Sequence, residues 1–143
     1  MPKFIKDSTK KVIYGNDGPP ERNDKTSITH LSDSIIDKME REYPEMMTEF
    51  RRIQEEQYEL FAMKQHDYGP GNISMGTSLV DEADIKLSLT ALVVRVNDKV
   101  NRLVNLIIKR NSEGQAEPTM DAFKDISVYG IIAQIVKNGK WGK

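Results

Sequence analysis

Glu56 and Glu59 stand three residues apart. At about 100° per residue a helix places them about 60° apart on one strip. Two carboxylates so arranged can share a divalent cation. Glu49 and Glu55 lie nearby, so a solvated acidic face explains the same pair. A second acidic series, Glu117, Asp121 and Asp125, steps by four and continues into Val128, Tyr129, Ile132 and Val136. That continuation must be a buried face, so the acids extend a core stripe. Glu117 and Asp121 suit the positive end of a helix dipole. Asp125 lies deeper, where a carboxylate is costly unless paired or bound to metal. Between the two acidic series come Arg95, Asp98, Lys99 and Arg102. They read as a salt-bridge stripe, Asp98 pairing with Arg95 and Arg102, or as a cationic pocket for phosphates.

Acids on two helices with bases on the helix between them suit a metal-dependent site for a nucleoside polyphosphate. The metal offsets phosphate charge and activates water, and Lys and Arg hold the leaving phosphates. No Gly-rich loop ending in Gly-Lys-Ser/Thr is present, which excludes a P-loop. The 143 residues contain no cysteine and two histidines. Disulfides, thiolate zinc and multi-histidine metal sites are therefore excluded, and a metal must be held mostly by oxygen, as magnesium or manganese is. Lys and Arg total 21 against 22 for Asp and Glu, a net charge of -1. That balance gives no global attraction to nucleic acid or anionic membrane.

The elements that must position these residues are helices. Residues 1–30 carry Gly15, Gly18, Pro19 and Pro20 in a polar run and read as an arm or tail, with Val12–Tyr14 as a short extended piece. From Leu31 helical spacing takes over and marks a single all-α domain over 31–143, most simply a helical bundle. Helices are expected at 33–43, 44–66, 82–111 and from Glu117-Pro118 to Lys137. A loop is expected at Gly69–Gly76, and Met46, Phe50, Ile53 and Leu60 form the apolar arc of the second helix. The third carries Ile85, Leu89, Leu92, Val96, Val100, Leu103 and Ile107 on one face. Its first half is apolar on most sides, which suggests a central helix. The start of the chain has no apolar core of a secretory signal, and the stretch Leu87–Val96 is too short and interrupted to span a bilayer. A soluble protein in the cytoplasm is expected.

Glu56-Gln-Tyr-Glu59 resembles the Glu-x-x-Glu helix of the all-α nucleoside triphosphate pyrophosphatases, the MazG-like superfamily. Lys64-Gln-His-Asp67-Tyr68-Gly69, with Asn72 after it, is similar to a signature of its phage-associated branch, the nucleotide modification associated domain family. Arg95-x-x-Asp98-Lys99-x-x-Arg102 and Glu117-x-x-x-Asp121-x-x-x-Asp125-x-x-x-Tyr129 follow in the same order. The resemblance covers about residues 45–137. In one respect the chain departs from the pattern. Where the superfamily has Glu-x-x-Asp, alignment on Asp125 brings Ala122 to the first position, so Asp121, with Asp98 and Glu117 in reserve, would have to supply that ligand.

The resemblance implies cleavage of a deoxynucleoside triphosphate, with a purine such as dGTP or dATP, into monophosphate and pyrophosphate. It implies magnesium or manganese held by Glu56, Glu59, Asp121 and Asp125, with Glu56, Glu59 and Asp125 catalytic. Arg95, Lys99 and Arg102 would hold the β and γ phosphates, Asp98 would join them in the substrate site, and Lys64, Asp67, Tyr68 and Asn72 would serve the sugar or base. It also implies a homodimer or homotetramer, and nucleotide-pool remodelling in a phage-infected cell. A helical nucleotide-binding or interaction module without catalysis is the alternative.

Overall fold

The computed structural model describes residues 35–143. The expected arm, its piece at 12–14 and the start of the first helix lie outside the described residues. The described chain is helical, with no strand: α1 over 35–42, then α2 (Pro44–Tyr68), α3 (Gly71–Ser74), α4 (Glu82–Leu103) and α5 (Thr119–Lys137). Packing divides it into one unit ending at Thr48 and a second from Glu49 to Lys143.

In the first unit, Pro44 separates α1 from α2 as its chemistry requires. It has no N–H to give, and its fixed φ suits a first helical position. The Tyr43 N–H closes α1 on the Met39 carbonyl at 2.8 Å, and the Met47 N–H opens α2 on the Tyr43 carbonyl at 3.1 Å.

In the second unit, the core gathers Ile73, Leu79, Leu92, Ile132 and Val136, with Phe61, Ile85, Leu89, Val128 and Tyr129 packed against it. The stripe read on α5 is thus the buried one. The arc read on α2 is not. Phe50 is 62 % exposed and Leu60 37 %, and α2 buries no residue. Its inward side instead carries half-buried Gln57, Phe61 and Gln65, with Gln57 Nε2 donating to Ser127 Oγ at 2.7 Å. Apolar spacing marks a strip but does not say what covers it. Similarly, α4 turns Leu92 inward but leaves Val93 and Val94 exposed within the described residues.

Asp81 caps α4 by accepting from the Asp84 N–H at 3.0 Å, with Glu82 and Asp84 on the positive end of the dipole. Expected as one helix to 111, α4 instead widens into a π-helical stretch, Val104–Lys109. The expected loop at Gly69–Gly76 contains α3, one turn that buries Ile73 and Ser74. Ser88, fully buried on α4, donates to the Ile73 carbonyl at 2.7 Å.

The start of α5 is held from a distance. Pro118 offers no side-chain cap. Glu113 replaces it, accepting from the Thr119 N–H at 2.8 Å and from the Thr119 hydroxyl at 2.7 Å. Arg102 donates to the Glu117 carbonyl and, at 3.2 Å, to that of Pro118. A Cβ on Gly114 would press on the Glu117 carbonyl and lie 2.6 Å from Arg102 Nη2, so glycine is required there.

Two outcomes follow for stability. Ile132 is 2 % exposed and its neighbour Ile131 46 %. By urea denaturation Ile132→Ala should lose about 2–4 kcal/mol, and Ile131→Ala well under half of that. Glu113 is held below the usual carboxylate range, chiefly by the Thr119 N–H. A lowered folded pKa stabilises above the unfolded value, near 4.5, and that contribution is lost as pH falls through the folded value. Glu113→Gln should therefore be less stable than wild type at pH 7, with the gap closing in acid.

Candidate functional site

A cleft of about 320 Å³ opens in the second unit, and four helices supply its walls. From α2 come Gln57, Phe61, Lys64, Gln65 and Tyr68, the positions one helical face presents. From α3 comes Asn72, from α4 Arg95, and from α5 Lys124, Asp125, Val128 and Tyr129. Three cations thus meet one carboxylate.

Each charge has a definite setting. Arg95 donates through Nη2 to the Asn72 carbonyl at 3.1 Å, and its guanidinium lies 6.0 Å from the centre of the Tyr129 ring. One donor is spent on the backbone and the cation is steadied by the ring, which leaves other N–H groups for a ligand. Lys99 Nζ lies 2.8 Å from Asp125 Oδ2, both side chains 28 % exposed. The hydrogen bond to Asp125 holds the Lys99 ammonium above its usual pKa. On the rim, Lys124 Nζ reaches Glu56 Oε1 at 3.2 Å. Glu56 also takes Arg52 at 2.9 Å, and these bonds, Lys124's first, hold its carboxyl below the usual range. In the walls, Gln65 Oε1 and Asn72 Oδ1 are buried acceptors without a partner, an uncommon state.

Of the residues singled out by sequence, Lys64, Tyr68, Asn72, Arg95 and Asp125 line this cleft. Lys99 adjoins it through Asp125, and Glu56 through Lys124. The others lie elsewhere. Glu59 borders a second, more open groove with Gln54, Tyr58 and Ile131. Asp67 is exposed, 3.4 Å from His66. Arg102 is occupied at the start of α5. Asp121 is half-buried and outside the cleft walls. The expected pairing of Asp98 with Arg95 and Arg102 is not formed, because both arginines turn to backbone carbonyls and Asp98 stays exposed. Among the described residues no three His, Asp or Glu side chains come together as a metal-holding group.

Gln57, Gln65 and Lys124 belong to the site and were not singled out. The two glutamines flank Phe61 at four-residue steps, and Lys124 precedes Asp125. Those spacings were the available signals, and no charge pattern marked them. No protein family, curated protein or solved structure matches this chain.

Breaking the Lys99–Asp125 pair strands a half-buried cation. Asp125→Asn should cost roughly 1–2 kcal/mol in a chelating buffer at pH 7, between the values for exposed and buried pairs. Because the Lys99 pKa is raised in the fold, the stabilisation is present below the ordinary value of 10.5 and fades as pH rises through the folded one. Melting both proteins at pH 7 and at pH 11 or above checks the loss and its sign.

Proposed function

We propose that the cleft binds a nucleoside triphosphate and that the protein cleaves it between the α and β phosphates. The observation that carries the binding is the convergence of Lys64, Tyr68, Asn72, Arg95 and Asp125, from four helices, on one cleft. Lys64, Arg95 and Lys124 supply cationic donors for phosphate oxygens, where charge-assisted bonds are strongest. Tyr68 offers an aromatic face to a base, and the Gln65 and Asn72 amides offer polar groups to its edge or to the sugar.

The cleavage rests on the sequence resemblance, which brings magnesium or manganese with it. The four carboxylates it names do not gather in this chain. Glu56 is held by Arg52 and Lys124, Asp125 by Lys99, and Glu59 borders another groove. As placed, this set does not fit a metal held by all four. The same ion pairs favour a second reading, in which the cleft binds nucleotide without cutting it.

One experiment separates the readings. Each common ribo- and deoxynucleoside triphosphate is incubated with the protein and manganese, and products are resolved by chromatography. Monophosphate and pyrophosphate support the proposal. Binding without products selects the second reading. Orthophosphate as first product contradicts the cleavage, and absence of binding contradicts both. Lys64→Ala should weaken triphosphate binding roughly 10- to 100-fold, the equivalent of one charge-assisted bond. Monophosphate binding should change far less, by calorimetry.

A further inference from the structure

The α3 turn and the residue before it are suspended from three side chains. The Ile73 carbonyl accepts from Ser88 at 2.7 Å and the Asn72 carbonyl from Arg95 at 3.1 Å, both on α4. The Pro70 carbonyl accepts from Trp141 Nε1 at 2.9 Å, and Trp141 lies in the segment after α5. That segment turns back at Gly139, whose φ of +65° suits glycine after a helix end. It then passes close to the turn, since a Cβ on Gly142 would lie 3.4 Å from Pro70 Cβ. The Trp141 indole also meets the Phe61 ring edge-on, centroids 6.1 Å apart at 70°.

Trp141 is not a wall of the cleft; it packs against the core, and its hydrogen bond and ring contact both go to wall-bearing segments. Phe61 belongs to the α2 wall, and Pro70 stands between the wall residues Tyr68 and Asn72. The two tethers from α4 hold the inner side of this corner. On the other side Trp141 supplies the indole hydrogen bond and the ring contact, with its own packing against the core. We propose that Trp141 is a positioning residue, a latch from the segment after α5 that fixes the Tyr68–Asn72 corner for ligand binding. The ligand part of this inference rests on the nucleotide reading of the cleft; the mechanical part does not.

The chain holds one tryptophan and five tyrosines, so fluorescence excited beyond the tyrosine absorption band reports on the latch alone. Trp141→Phe keeps a ring against Phe61 and loses the indole donor, and Trp141→Ala loses both. Amide hydrogen exchange over 69–76 and over α5 is compared in wild type and both variants, with dGTP and dATP affinity by calorimetry. Trp141→Ala should speed exchange at Ile73 and Ser74, whose N–H groups bond to the Pro70 carbonyl, at least tenfold, leaving α5 as in wild type. It should weaken nucleotide binding at least tenfold. Trp141→Phe should fall between on both measures at a near wild-type urea midpoint, and it carries the test if Trp141→Ala does not fold. Wild-type fluorescence should change when nucleotide binds. Unchanged exchange over 69–76 overturns the latch, and faster exchange with unaltered affinity overturns its positioning role. A wild type that binds neither triphosphate contradicts the nucleotide reading instead, and the exchange data then judge the latch by itself.

Discussion

The contact between α4 and α5 is the constraint on which the rest of the second unit depends. Leu92 on one helix and Ile132 and Val136 on the other are its buried residues, and the Lys99–Asp125 pair crosses the same contact. The apolar part is non-directional and supplies most of the driving force. The ion pair contributes less energy but fixes which way α5 faces, because a half-buried charge tolerates few orientations. With α5 so oriented, Lys124, Asp125, Val128 and Tyr129 share the side that meets α2. The α3 turn is then drawn onto α4 by Ser88 and Arg95. The cleft is what remains between these fixed surfaces and the Lys64–Tyr68 end of α2.

Charge in this region is distributed asymmetrically. Glu56 and Asp125 are each engaged by cations from other positions. Lys64 and Arg95 keep donors for a ligand, and Arg95 is aimed by a carbonyl on one side and an aromatic face on the other. The donors of Arg95 are already set for an anion entering the cleft, so less ordering entropy would be lost there on binding. An anion bound as proposed would also compete with Glu56 for Lys124, and with Asp125 for Lys99. Those two pairs would then couple binding to the stability of the empty protein.

The sequence made the helical class, the Pro44 boundary, the α5 stripe and the start of α4 legible, because each follows from a local rule. Proline lacks an N–H, acids favour a helix start, and Ile132 and Val136 recur at helical spacing. The inward side of α2 was not legible. Gln57 and Gln65 carry no apolar signal, whereas Phe50 and Leu60 carry one and remain exposed. Of the residues that converge, Arg95 and Asp125 stood out by residue type and spacing, whereas Lys64, Tyr68 and Asn72 stood out only through the resemblance. The diversion of Arg102 to the Glu117 and Pro118 carbonyls could not be anticipated, since it depends on where a connection of irregular backbone passes. The part played by Glu113 in place of a local cap was illegible for the same reason. So was that of Trp141, whose partners Phe61 and Pro70 are distant in sequence.

The account turns on whether the cleft receives a nucleoside triphosphate, and an NMR titration of isotopically labelled protein tests that most directly. Backbone and side-chain shifts would be followed as dGTP or dATP is added. The account predicts saturable changes centred on Lys64, Gln65, Tyr68, Asn72, Arg95 and Tyr129, with those of Gln54, Tyr58 and Ile131 in the second groove small. Changes centred on the second groove, or none at millimolar nucleotide, would contradict it.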